Sequence, residues 1–82
     1  MNKSMLLVCQ RARAEQAFQD YDFDGRVVEA VNGWEHDGDS SYTRTVFLEN
    51  AKDPSADTEA FIYRVSFRKD TTTVVSECYY RK

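Results

Sequence analysis

The sequence predicts an α+β domain in which an N-terminal helix packs on a three- or four-stranded antiparallel meander sheet. Three observations support this fold class: a helical apolar period near the N-terminus, alternating apolar residues in the C-terminal half, and a length of 82 residues, which suits a single domain over 1–82. A sheet with one apolar face needs a covering layer, and the helix is the only candidate. The expected architecture is therefore a two-layer sandwich.

The helix is predicted over residues 4–20 from the spacing of its apolar side chains. Five residues fall on one helical face: Leu7, Ala14, Ala17, Phe18 and Tyr21. Three alanines raise the helix propensity, and Ser4 can cap the first turn. The start of the helix is open to a second interpretation, because residues 5–9 would also suit a buried strand.

The strands are predicted from β-branched and aromatic residues and from the alternation of apolar with polar side chains. Residues 42–49 and 60–69 both fit a strand, with a loop at 50–57 between them. A last strand at 73–81 follows a turn at 70–72. The side chains expected to face the helix are Val46, Leu48, Phe61, Tyr63, Val65 and Phe67.

Residues 26–34 are rich in valine and fit either a helix or a strand. Val31 and Trp34 would share a helical face, whereas Val28 and Trp34 would share a face of a strand. Both interpretations stay open at this point. The dipeptide Asp37-Gly38 that follows favours a hairpin turn, which would lead directly into the strand at 42–49.

Charge is distributed unevenly along this small acidic chain, whose formal net charge is −3. Residues 21–39 contain six acids and one arginine, a local charge of −5, whereas residues 61–82 contain five bases and two acids, a local charge of +3. Non-specific nucleic-acid binding needs a dominant basic face, so an acidic chain disfavours a nucleic-acid partner. The small net charge equally argues against DNA mimicry.

The sequence predicts no contact with a membrane. No segment approaches the roughly 20 apolar residues of a membrane span, and the apolar run at 5–9 is shorter than the roughly 7–15 residues of a signal-peptide core. Two cysteines, Cys9 and Cys78, do not form a disulfide framework of the kind found in small secreted domains. We therefore expect a cytoplasmic protein with reduced thiols.

A cluster of carboxylates at Asp20, Asp22 and Asp24 follows the predicted helix, with Gly25 next to it. This stretch resembles the first half of an EF-hand calcium loop, in which oxygens at loop positions 1, 3 and 5 and a glycine at position 6 surround the ion. Position 12, where an EF-hand supplies a bidentate glutamate, is Val31. Because Asp and Gly also favour ordinary turns, we expect no specific calcium site.

Groups suited to catalysis or cofactor binding are few. His36 is the only histidine, and the sequence has no Cys-x-x-Cys pair and no glycine-rich phosphate loop. Cys9 and Cys78 are expected to be small core residues. The sequence therefore predicts no catalytic residue, no metal and no cofactor, in a protein that is not an enzyme.

These exclusions leave protein binding as the predicted function. The chain would be an inhibitor or modulator that occupies another protein, a character that immunity and phage counter-defence proteins share by analogy only. The predicted site is Trp34, Glu35, Asp37 and Asp39, with Asp22 and Asp24 alongside. Its carboxylates suit a partner with a basic surface, and Trp34 offers an apolar anchor unless it belongs to the core.

Other functions and a homodimer remain open. The runner-up is a nucleic-acid-binding module formed by the basic C-terminal strands: Arg64, Arg68, Lys69, Arg81 and Lys82 with Tyr79 and Tyr80. Aromatic rings beside arginine and lysine can stack bases, although a solvated strand face is the simpler interpretation. A calcium-responsive module at the carboxylate cluster is the third alternative.

Overall fold

The computed structural model describes residues 3–38, 40–68 and 73–80, with side chains from Val8 onward within these ranges. Its elements are α1 Lys3–Asp20, β1 Val28–Val31, β2 Glu35–Asp37, β3 Ser41–Leu48, β4 Glu59–Phe67 and β5 Val74–Tyr80. The predicted α+β class is confirmed: one helix packs on an antiparallel sheet. The described sheet contains five strands rather than the predicted three or four.

The extra strand arises from a break in the first edge of the sheet. β1 and β2 both pair with β3, and they lie end to end along it, from Val28 opposite Leu48 to Asp37 opposite Ser41. We call residues 28–37 the broken edge strand. Residues 32–34 interrupt it, and they include an asparagine and a glycine, two residue types that fit a pleated strand poorly. The ambiguous 26–34 region is therefore a strand that ends at this break.

The remaining strands form the predicted meander. β3 pairs with β4 in continuous register from Ser41↔Ser66 to Leu48↔Glu59, and β5 pairs with the other side of β4. β5 is thus the second edge of the sheet. The hairpin between β2 and β3 turns at Gly38, whose φ of +74° is the left-handed conformation that glycine adopts without strain. The predicted turn at 70–72 lies outside the described residues.

The core lies between α1 and one face of the sheet. Its buried apolar side chains are Ala14, Tyr42, Val46, Leu48, Tyr63, Val65 and Phe67. Five of the six side chains predicted to face the helix are among them, and the sixth, Phe61, is half-buried against the same cluster. Phe18 joins it from the helix, with its ring centre 5.1 Å from that of Tyr63.

Helix α1 differs from its prediction in two details. It begins at Lys3, so Ser4 lies inside the first turn and is not the residue preceding the helix. Cys9, predicted to be a core residue, is exposed. Cys9 lies five positions before Ala14, about 140° around the helix, whereas Gln10 lies about 40° from Ala14 and is buried instead.

Candidate functional site

Trp34 lies in the break of the edge strand, between the core and the surface. Its indole ring contacts Phe18 and Tyr63 edge-on or tilted, with ring centres 6.0 Å apart in both cases. The indole N–H donates a 2.6 Å hydrogen bond to Glu15 Oε2 on the helix. The ring is half-buried, so Trp34 is fixed by the core on one side and remains accessible on the other.

Arg44 contacts both the helix and residues 32–34, which interrupt the edge strand. Its guanidinium lies between two aromatic rings, 4.7 Å from the centre of Phe18 and 4.6 Å from that of Trp34. It also donates to the Asn32 carbonyl at 3.0 Å and contacts Glu15 Oε2 at 3.3 Å. The Arg44 side chain is only 10% exposed, so these ring and carboxylate contacts compensate for the loss of water.

Sequence reasoning missed both Arg44 and Glu15. A signal was available in β3, where Arg44 occupies the helix-facing register between Tyr42 and Val46. A charged residue at a core-facing strand position needs a partner, and here the partner comes from the helix. The identity of that partner depends on how α1 is rotated over the sheet, which no local pattern reports.

An open groove runs between α1 and the break, with a volume of about 500 Å³. We call it the α1 groove. Val8, Arg11, Ala12 and Glu15 line it from the helix, and Gly33, Trp34 and Arg44 line it from the sheet. A second depression of about 270 Å³ shares Val8 and Arg11 with it and extends to His36 and Tyr42. The two depressions together follow the helix past the break and past β2.

His36 forms part of this surface through an aromatic contact. Its ring stacks on Tyr42 with centres 4.8 Å apart and planes 20° from parallel. The Tyr42 hydroxyl donates to the buried Gln10 side chain at 3.3 Å. Burial raises the pKa of Tyr42, and the positive charge of Arg11 offsets part of that shift. Arg11 therefore lies close enough to act on Tyr42 across the second depression, which both residues line.

The predicted acidic residues point away from Trp34. Strand alternation places Glu35 and Asp37 on the face of the sheet opposite His36, and Asp37 Oδ2 lies 3.6 Å from the Arg64 guanidinium. Both carboxylates are exposed. Asp39 lies outside the described residues. The Trp34 side chain thus lies on one face of the broken edge strand, and the Glu35 and Asp37 side chains lie on the other.

Asp22 and Asp24 lie elsewhere, in the turn between α1 and β1. Asp22 accepts a 3.0 Å hydrogen bond from the Gly25 amide, while Asp24 and Gly25 adopt positive φ values of 58° and 73°. The turn borders a small pocket of about 110 Å³ that Arg26 also lines. The predicted site is therefore divided into three groups: Trp34, the pair Glu35 and Asp37, and the pair Asp22 and Asp24.

Two carboxylates in and next to the turn between α1 and β1 already have hydrogen-bond partners within the chain. Asp22 is committed to the turn itself, and Asp20 accepts a hydrogen bond from Gln16 at 3.1 Å. The Arg26 guanidinium beside the turn binds Glu59 at 2.7 Å. In the described ranges, no group of three or more histidine, cysteine, aspartate or glutamate side chains is arranged to hold a metal. The expectation of no specific calcium site remains a prediction.

The two thiols have different environments. Cys78 is half-buried against the core, and burial raises its pKa while the charge of Arg26 partly opposes that shift. A raised pKa reduces the thiolate fraction and so the nucleophilicity of Cys78. Cys9 is exposed on the helix, and both thiols are free. That the chain is not an enzyme remains a prediction.

The basic C-terminal strands are partly neutralised. Arg64 lies 3.5 Å from Glu77 and 3.6 Å from Asp37, and it donates to the Tyr79 hydroxyl at 3.1 Å. Arg68 is exposed, whereas Lys69, Arg81 and Lys82 lie outside the described residues. The Arg64 guanidinium is therefore already engaged with two carboxylates on the surface proposed to meet phosphate.

Exposed apolar side chains concentrate at the two edges of the sheet. Of the seven large ones in the described part of the chain, all but Val8 lie on or next to an edge: Val27, Val28, Val31, Val75, Tyr79 and Tyr80. Strand edges carry unpaired backbone donors and acceptors on their outer side. Apolar side chains at such edges make both of them candidate contact surfaces.

Comparison with protein-family models, curated proteins and solved structures returned no match to this chain. No helix in the described ranges combines the length and apolar content needed to cross a membrane. Any functional conclusion therefore depends on the surfaces described above.

Proposed function

We propose that this chain is a small protein-binding module that acts as an inhibitor or modulator by occupying another protein. The observation that carries the proposal is the exposure of the broken edge strand: every residue of β1 and β2 is solvent-exposed. An edge that is both unpaired and apolar is a natural surface for a second protein, which can add main-chain hydrogen bonds and cover the side chains.

The broken edge strand also has a charge that suits a basic partner. Glu29, Glu35 and Asp37 accompany the exposed Val28 and Val31 along it, and of these acids Asp37 is partly neutralised by Arg64 at 3.6 Å. Such a concentration of acids can steer a basic partner toward the edge, and the valines would then supply the apolar contact. Trp34 would stiffen the edge through its contacts with the core. We place this interaction in the cytoplasm, where both free thiols stay reduced.

A nucleic-acid-binding role has less support. Tyr79 and Tyr80 are exposed on β5 and could stack bases, but Arg64 beside them is engaged by Glu77 and Asp37. Affinity for nucleic acid depends on arginine and lysine charges that are free to neutralise phosphates. A protein partner at the oppositely charged edge therefore fits the described charges better.

The test is affinity capture from a native lysate followed by mass spectrometry, with two charge-matched double variants. Glu35→Lys with Asp37→Lys reverses the charge of the edge, whereas Asp53→Lys with Asp57→Lys makes the same charge change in the exposed loop 51–58. We expect a protein partner that the edge variant loses and the loop variant retains. The edge variant should melt within about 2 °C of the wild type, because exposed charges contribute little to stability. The loop variant should lose slightly more, because Asp53 accepts two hydrogen bonds from Ser55.

Two results would contradict the proposal. Retention of the partner by the edge variant would place the interface elsewhere. Enrichment of nucleic acid instead of protein, reduced by Arg64→Glu, would favour the runner-up function.

A further inference from the structure

The α1 groove has an apolar floor that its own side chains do not cover. Val8 is 69% exposed on the helix side, with Ala12 one turn further on, and the half-buried Trp34 ring faces them from the sheet. The Trp34 N–H is already bonded to Glu15, so the accessible part of the ring offers apolar surface without an unmet donor. A groove of about 500 Å³ with this lining suits an aliphatic or aromatic side chain.

The charge of the groove is opposite to that of the whole molecule. Its lining contains Arg11, Arg44 and Glu15, a net charge of +1, in a chain of net charge −3. Glu15 is engaged by both Arg44 and Trp34 through the same oxygen. Arg11 is exposed and forms no ion pair with any side chain in the described ranges. Arg11 is therefore the charge in this groove that is available to a ligand.

We propose that the α1 groove binds a short acidic segment of a protein that also carries an apolar side chain. The apolar side chain would pack between Val8, Ala12 and Trp34, and an adjacent carboxylate would pair with Arg11. A peptide fits these features better than nucleic acid, because one unpaired arginine neutralises too little of a phosphate backbone. The groove lies on the helix side of the sheet, so this site goes beyond the proposed docking at the broken edge strand and takes a ligand of opposite charge.

The chain offers a specific reporter for this site. Trp34 is its only tryptophan and lines the groove, so a ligand that enters the groove should change its fluorescence. The experiment selects phage-displayed random peptides of about twelve residues on the full chain, a length that spans the groove in extended form. Selected sequences are then synthesised without tryptophan and titrated while Trp34 emission is recorded. We expect enrichment of aspartate or glutamate beside leucine or phenylalanine, and a saturable emission change.

Two charge reversals on α1 form a matched pair. Arg11→Glu changes the groove, whereas Arg13→Glu makes the same charge change at an exposed position that lines a different depression, near Val74. We expect Arg11→Glu to weaken peptide binding by about tenfold or more, as the loss of a partly desolvated ion pair does. Arg13→Glu should stay within about twofold, since long-range charge alone is screened by salt.

Several outcomes would overturn the proposal. Selection without an acidic consensus, or with a basic one, would do so, as would peptides that leave Trp34 emission unchanged. If Arg11→Glu and Arg13→Glu weakened peptide binding equally, the peptides would be responding only to the net charge of the chain. Saturation by single-stranded DNA with the same emission change would assign the groove to nucleic acid. Peptide binding must also survive Glu35→Lys with Asp37→Lys, so failure at the edge and failure at the groove are distinguishable.

Discussion

The two faces of the same sheet are stabilised in different ways. On the helix-covered face, Tyr63 is fully buried at the centre of an aromatic cluster whose other members are Phe18, Tyr21, Phe23 and Trp34, with ring centres 5.0–6.0 Å from its own. On the uncovered face, the central feature is polar: Arg64 bridges Asp37 and Glu77. Burial requires a second layer, and the helix supplies it to one face only.

The covered and uncovered faces of the sheet contribute differently to stability. Side chains under the helix contribute most of the folding free energy, because the buried apolar side chains of the described ranges lie there. Side chains on the uncovered face and at the sheet edges are held by exposed ion pairs and partial contacts, which contribute little each. They can therefore change with little effect on stability, which suits surfaces that meet a partner.

The largest expected effect is a loss of stability on the covered face. Phe18→Ala removes a ring that contacts Tyr63, Trp34 and the Arg44 guanidinium, and it should lower the free energy of unfolding by about 3–5 kcal/mol. The matched variant Phe47→Ala removes the same ring from the uncovered face. Both rings are half-buried, but Phe47 contacts no aromatic ring or guanidinium in the described ranges, so its loss should cost only about 1–2 kcal/mol. Urea denaturation of both variants measures the difference. Equal losses would show that the helix does not distinguish the two faces.

A smaller difference in stability is expected when the buried hydroxyl groups of Tyr42 and Tyr63 under the helix are removed one at a time. Tyr42→Phe removes the hydrogen bond to Gln10 and leaves that buried amide unsatisfied, so we expect a loss of about 1–2 kcal/mol. The Tyr63 oxygen is buried and makes no hydrogen bond of good geometry within the described ranges, although Ser76 lies close enough to lower its pKa. Tyr63→Phe should therefore be close to neutral. Chemical denaturation at neutral pH measures both. A loss above about 1 kcal/mol in Tyr63→Phe would show that its hydroxyl has a partner.

The smallest effect appears only at alkaline pH. Burial raises the pKa of Tyr63 above its ordinary value of 10.0 and that of Cys78 above 9.0. The unfolded chain therefore loses these protons first, so their contribution to stability is complete below the ordinary values and is lost as the pH rises through the raised ones. The urea midpoint, measured from pH 7 to 11, should fall above about pH 9. Tyr63→Phe should fall less steeply, and an unchanged slope would contradict the assignment to Tyr63.

Much of the covered face was predictable because its signals are local. In β4, alternation alone identified Tyr63, Val65 and Phe67 as helix-facing, and the structure buries all three. The dipeptide Asp37-Gly38 correctly predicted the hairpin between β2 and β3. The position of Cys9 was predicted wrongly although the same helical period applies to it, because a five-residue offset from Ala14 turns it away from the sheet.

The candidate surfaces were less predictable because they depend on contacts between distant residues. Residues 34–39 appeared as one acidic patch with a tryptophan in the sequence, yet strand alternation sends Glu35 and Asp37 to one face while the core draws Trp34 to the other. Once residues 32–34 break the edge, the local period no longer assigns Trp34 a face, and contacts with Phe18 and Glu15 decide it.

The sequence by itself determined the order and type of the main elements, the apolar face of α1 and β4, and the separation of acidic and basic segments. These properties follow from the chemistry of neighbouring residues and the fixed periods of helix and strand. Only the tertiary structure decided that Glu15 meets both Trp34 and Arg44, and that Arg11, at the rim of a groove, has no carboxylate partner among the described residues. Those pairings depend on the rotation of the helix over the sheet, which the packing of the whole core sets.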